Sequence, residues 1–227
     1  MKKICVIGNS HIGALIGASH TIMENEEVKN KSVSLDFFAN AGQGIQLVKV
    51  KNGELKGVRY STTKKNDIYL KDYDLFFICC DLYGPNFISQ SKYELRNFST
   101  QVREQATKDR IHHSHSMRLF REITAETSAP VYIASRPIRP AAHEISKDEF
   151  IDGINVISKL IQPAIYVEPP LSVLTETFTG NTDFFKNSSN MLGKPVSKEK
   201  HPNHDMDHMN ENGGVEVLLH FLNKIQD

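Results

Sequence analysis

Tryptophan is absent, cysteine occurs three times in 227 residues, and neither sign of charge is in excess, with 27 Lys plus Arg against 27 Asp plus Glu. No run of basic residues is broad enough to track a phosphate backbone, which argues against nucleic acid as a partner. The scarce cysteines, Cys5, Cys79 and Cys80, all fall inside apolar strand candidates. Odd in number and without ligand spacing, they read as reduced core thiols and not as a disulfide frame. Long apolar runs are missing as well, and no stretch approaches the ~20 residues of a membrane span. The apolar residues after Met1-Lys2-Lys3 stop at Gly8, too soon for a secretory leader. The expectation is a cytoplasmic protein with no membrane contact. The first turn also lacks G-x-G-x-x-G, the P-loop lysine and G-x-S-x-G, so neither a nucleotide fold nor an ordinary α/β-hydrolase is indicated.

What is present begins at residues 4–17, ICVIGNSHIGALIG. Four apolar residues end at Gly8, and Ile12, Leu15 and Ile16 then recur at helical spacing, so a buried strand feeds a helix through a tight turn. The turn carries Ser10 and His11 at the carboxyl end of the strand, where open α/β sheets place ligands. A serine there either caps the helix or acts as a nucleophile, and the second role requires a base. A base is available near the other end of the chain. In residues 201–214, HPNHDMDHMNENGG, Asp205 and His208 stand three apart just before a helical face made by Val215, Leu218, Leu219 and Leu222. One loop can hold that carboxylate against the imidazole, fixing its tautomer and stabilising the imidazolium, so Ser10, His208 and Asp205 would form a triad.

These two blocks resemble those of the SGNH or GDSL-type esterases. Gly8-Asn9-Ser10 stands where the family has Gly-Asp-Ser after its first strand, and Asp205-Met206-Asp207-His208 stands for its Asp-x-x-His before the last helix. In Asn40-Ala41-Gly42-Gln43-Gly44, Gly42 matches the glycine after the second strand, with Gly44 the alternative, and Gly84-Pro85-Asn86 matches the Gly-x-Asn after the third. The resemblance implies one domain over 1–227 with a three-layer α/β/α flavodoxin-like fold. It also implies a Ser10, His208 and Asp205 triad, and an oxyanion hole from the N–H groups of Ser10 and Gly42 with the Asn86 amide. No cofactor or metal is implied.

Between the blocks, strands are expected at 33–39, 74–80, 131–135 and 165–167, making a mostly parallel sheet of five with the first. Asn52-Gly53 predicts a type I′ hairpin within an insertion over 46–73. Helices are expected over 89–107, with Leu95, Phe98, Val102 and Ala106 as one stripe, over 116–127, and through Phe150, Ile154, Ile157 and Ile161, with a break near Asp109. Residues 171–204 lack periodicity and read as a long loop, a candidate lid that selects substrate. Asp81 either caps a loop or orders the site. His112, His113 and His115 lack the i, i+4 spacing of two ligands on one helix face. Arg136 and Arg139, on a stiff proline-bordered loop, either meet an anionic substrate group or form surface ion pairs.

The activity expected is hydrolysis of small acyl esters, most plausibly O-acetyl groups on a carbohydrate. A glycan O-acyltransferase would use the same acyl-serine. A metal-dependent hydrolase would draw on His201, His204, Asp205, Asp207 and His208, whose atoms suit zinc. A binding protein that kept the fold without the chemistry is the remaining alternative.

Overall fold

The strand seeded by residues 4–7 becomes β1 (Lys2–Gly8), whose residues from Ile4 to Ile7 are all inaccessible to solvent. Such continuous burial requires helices on both sides, and both are there. The computed structural model describes residues 1–24, 32–40, 42–63, 67–188 and 206–225. Its central sheet runs β5-β2-β1-β6-β7-β8, where β2 is Val33–Ala39, β5 Tyr60–Ser61, β6 Leu75–Cys79, β7 Val131–Ala134 and β8 Ile165–Val167. Five of these strands are mutually parallel, and β5 adds an antiparallel edge to β2. Counted among themselves, the parallel strands have the order 2-1-3-4-5 of flavodoxin-like sheets, and the connections reverse direction between β1 and β6. The expected five-stranded sheet is therefore present with one strand more.

One face of the sheet is covered by α1 (Ile12–Glu24) and α6 (Glu211–Lys224). Ile4, Val6, Phe77 and Cys79 meet Ile12, Leu15, Leu218 and Phe221 there, and the Phe77 and Phe221 rings stack at 3.8 Å between centroids. The opposite face takes Cys5, Ile7, Phe76 and Ile78 against α3 (Thr100–His112), α4 (His115–Thr124) and α5 (Lys147–Leu160). This alternation along β1 and β6 makes the three layers. All three cysteines are free and buried, and burial pushes their thiols up from the ordinary value.

The hairpin falls where Asn52-Gly53 predicts it, between β3 (Lys49–Lys51) and β4 (Glu54–Lys56). Asn52 and Gly53 both have positive φ, 54° and 71°, as a two-residue primed turn requires. The helix expected over 89–107 is instead two, α2 (Pro85–Glu94) and α3. Ser99 caps the second by accepting from Val102 N at 3.3 Å, and the supposed stripe is not a core face, since Phe98 is 55% and Val102 48% exposed. The next break comes at Ser114, which caps α4, and not at Asp109.

At the end of β8, Glu168 forms an ion pair with Lys224 in the last turn of α6, with His220 Nε2 3.4 Å away. Burial alone would raise the Glu168 carboxyl, but the neighbouring His220 and Lys224 outweigh it and hold the group at about 2, against an ordinary 4.5. A carboxylate with a depressed folded value stabilises the fold above its unfolded value and loses that contribution as pH falls through the folded one. Glu168→Gln is therefore expected to lower stability at pH 7, by about 1 kcal/mol once solvent screening of this partly exposed pair is allowed for, and to flatten the acid limb of stability between pH 4.5 and 2. Urea unfolding of both proteins over a pH series measures this. Parallel limbs would contradict it.

Candidate active site

The reversal of connections between β1 and β6 opens a crevice at the carboxyl ends of these two strands, and the turn carrying Ser10 leads out of it. After Gly8, Asn9 folds its side chain back: its Oδ1 accepts from His11 N at 3.1 Å, and its Nδ2 donates to Cys80 O at 3.4 Å. This Asx turn ties the end of β1 to that of β6 and leaves Ser10 at the apex, two residues ahead of α1. Gly8 is required there, because a Cβ would lie 2.4 Å from Cys79 O. Ser10 N–H has no hydrogen-bond partner among the described residues.

His208 Nε2 lies 3.1 Å from Ser10 Oγ, across 198 positions of sequence. The His11 and His208 rings are neighbours too, with centroids 5.4 Å apart. The segment bearing His208 is held on both sides. Asp207 Oδ1 meets Arg139 Nε at 2.8 Å, and Met209 is buried at 6% exposure beneath Gly213, where a Cβ would lie 2.2 Å from Met209 Cγ. Asn210 caps α6 by accepting from Gly213 N at 3.1 Å, while its Nδ2 donates to the Asp183 and Lys186 carbonyls at 2.7 and 3.0 Å. A loop clamped at Asp207, Met209 and Asn210, on either side of His208, can aim an imidazole.

Asp205 lies outside the described residues, as do His201 and His204. Gly42 opens a 3-10 turn (Gly42–Leu47) after β2, a geometry whose first N–H groups have no partner within the turn. Gly44, in the same turn, meets the Asn40 side chain so closely that a Cβ would lie 2.2 Å from its Oδ1. Asn86 has a role other than the expected one. It sits in the first turn of α2, 5% exposed, and its Nδ2 donates to His143 O at 2.8 Å and Phe178 O at 2.9 Å. Both amide hydrogens are thereby used, and none remains for a substrate oxygen. Asn86 instead joins α2 to two surface loops.

The described part of the expected lid, residues 171–188, is packed and not open. Gly180 N donates to Arg139 O at 3.1 Å, Ile145 N donates to Thr177 O at 3.1 Å, and Phe185 is 1% exposed. The aromatic residues in this stretch support the His208 loop from beneath, with Asn210 N bonded to Phe184 O at 2.7 Å. The remainder, 189–204, lies outside the described residues.

One pair beside the site was not assembled in sequence. Asp81 receives His115 Nδ1 at 2.7 Å, and also the backbone N–H groups of His115 and Ser116 at 3.0 Å each. Burial raises the Asp81 carboxyl, but these hydrogen bonds outweigh it and leave the group below the ordinary value. Asp81 thus docks the N-terminus of α4 onto the strand end next to Ser10. The other two histidines of the cluster turn elsewhere, His112 Nε2 to Leu160 O at 3.0 Å and His113 Nδ1 to Asp109 O at 2.6 Å. Among the described residues, no group of three His, Cys, Asp or Glu side chains is arranged to hold a metal ion. Nor is any helix there long and apolar enough to cross a membrane.

No family model matches the chain. No curated protein matches it either. Among solved structures, the chain is similar to the lipase Lip_vut3 from a goat rumen metagenome, with TM-score 0.45 and 13% identity over 97% of this chain and 96% of that one. It is also similar to a DUF4886 family protein from Bacteroides uniformis, with TM-score 0.36 and 10% identity over 99% and 95% of the two chains. Both likenesses are remote, and the chemistry has to be argued from the residues of the site.

Proposed function

We propose that the protein is a serine esterase of the SGNH type that hydrolyses small acyl esters, with O-acetyl groups on a carbohydrate as the substrate class. The observation that carries this reading is the 3.1 Å approach of His208 Nε2 to Ser10 Oγ at the crevice of the sheet. Ser10 Oγ attacks the ester carbonyl as His208 Nε2 takes its proton. The tetrahedral intermediate collapses, the C–O bond to the alcohol breaks, and the leaving oxygen takes the proton back from His208. Water then attacks the acyl-serine, again with His208 as base, and the free acid leaves.

Asp205, three residues before His208, is the group proposed to orient the imidazole and stabilise its charged form. The N–H groups of Ser10 and Gly42 are the proposed oxyanion donors, each worth about 3–4 kcal/mol at the transition state. Asn86 is left out of this set because its hydrogens are bonded elsewhere.

A fluorophosphonate probe tests the reading, since it forms a covalent bond only with an activated serine. The expected result is stoichiometric modification that peptide mass spectrometry places on Ser10, with release of acetate from an O-acetylated sugar lost in parallel. A folded protein left unmodified at Ser10 would overturn the proposal.

A further inference from the structure

Beyond Ser10, the same rim of the sheet carries a basic group with no acidic partner among the described residues. In the parallel registers, Gly8 pairs with Cys79 and Cys79 with Ala134. Two residues further on, Ser10, Asp81 and Arg136 stand in a row across three adjacent strand ends, and Arg136 N donates to Leu82 O at 2.9 Å. Two strand spacings separate the backbones of Ser10 and Arg136, roughly 10 Å.

The other cations of this region are neutralised, Arg139 by Asp207 and Lys224 by Glu168. Arg136 makes no ion pair among the described residues, and its guanidinium lies over the Tyr83 ring, Cζ 4.8 Å from the centroid. Tyr83 in turn stacks on Phe87, with centroids 4.1 Å apart. An arginine laid on an aromatic face has one side occupied and its N–H edge fixed in direction, the arrangement suited to bidentate binding of a planar or tetrahedral anion.

Two hollows meet at this residue. One is largely apolar, lined by Ala14, Leu15, Val167, Met209 and Val217, with Glu168 at its wall already paired with Lys224, and reaches His11 beside His208. The other is polar, and its walls include Gly84, Gln90, Arg139 and His143 with no carboxylate among them. An acyl group suits the first hollow and a polar alcohol the second, which places Arg136 against the alcohol portion of an ester.

We propose that Arg136 selects substrates whose alcohol portion carries an anionic group, a carboxylate or a phosphate, within a sugar-sized distance of the ester oxygen. This rests on the esterase reading above. The probes are phenyl acetate, 4-acetoxybenzoate and 4-acetoxyphenyl phosphate, tested on the wild type, Arg136→Met and Arg136→Lys. The ratio of kcat/KM for an anionic ester to that for phenyl acetate is expected to fall tenfold or more in Arg136→Met, mainly through KM, with phenyl acetate turnover unchanged. Arg136→Lys recovers part of the ratio, and added salt lowers it in the wild type and in Arg136→Lys but not in Arg136→Met. The two anionic probes separate a carboxylate preference from a phosphate preference.

An unchanged ratio in Arg136→Met, or an equal fall on all three esters, would overturn the inference. A binding measurement keeps the two proposals separable: titration with 4-hydroxybenzoate and with phenyl phosphate, followed through the backbone N–H signals of the neighbouring Tyr83, Gly84 and Ala142, requires no turnover. Saturable shifts that vanish in Arg136→Met support the anion site even if Ser10 proves unreactive. Absence of such shifts in a protein that labels at Ser10 rejects the anion site and leaves the esterase standing.

Discussion

Ser10→Ala is expected to lower kcat/KM on an acetyl ester by at least about 10⁴-fold, toward the ~10⁶ seen when a triad nucleophile is removed, while the melting temperature stays within about a degree. The second half follows from position. Ser10 is half-exposed at the turn, its Oγ meets His208 Nε2, and Asn9 Oδ1 already satisfies the neighbouring His11 N–H. Little folding energy depends on the hydroxyl, whereas the whole covalent step does. His208→Ala should fall by a similar factor, and the double variant by little more than either one, because groups that act as a unit are grossly non-additive. Steady-state kinetics with calorimetry on the same preparations checks this. Activity retained in a folded Ser10→Ala protein would remove the triad, and multiplicative losses would separate the two residues.

Gly214→Ala is expected to destabilise the protein, against the usual sign of such a substitution. Within a helix, glycine to alanine ordinarily gains about 1 kcal/mol. At Gly214, however, the added Cβ would lie 2.2 Å from Ala14 O and 2.5 Å from Ala14 C, backbone atoms of α1. The two helices would have to separate. Overpacking of this kind costs about 3 kcal/mol or more, which leaves a net loss of about 2 kcal/mol. For a chain of this length that corresponds to a melting point lower by roughly 4–8 °C.

The same displacement reaches the chemistry. α1 begins two residues after Ser10 and α6 begins three after His208, so their separation sets the distance between nucleophile and base. A shift of about 1 Å there costs about 10²-fold in rate. Gly17→Ala is the control on the facing helix, α1, since its Cβ would meet only the flexible Glu211 side chain at 3.4 Å. It is expected to be neutral or slightly stabilising, with activity intact. If both variants behave alike, the contact between α1 and α6 does not set the site.

The parts of this structure legible in the sequence are those written in short stretches. The strand, turn and helix around Ser10, the Asn52-Gly53 hairpin and the apolar face of α6 each depend on neighbours within a few residues. The meeting of Ser10 with His208 was legible as well, because each sits at a recognisable junction of elements. Asn86 misled for the converse reason. Its Gly-x-Asn spelling is right, yet the segment has already entered α2, and the amide turns onto His143 and Phe178. Asp81 with His115, and Arg136 with Tyr83, depend on strand register and on where helices break, which no local pattern encodes. The helix predicted through Phe98 fails similarly, since an apolar spacing was taken for a core face while the chain turns at Ser99.

The placement of the three sulfur atoms gives the molecule an internal timer. Cys5 and Cys79 lie on the two strands that form the crevice and Cys80 directly follows the second, and none is more than 7% exposed. Cys79 borders the apolar hollow, but a thiol reagent can reach Cys5 and Cys80 only when that seam parts, so the rate of their alkylation reports how often the platform beneath the nucleophile opens, without any label being introduced.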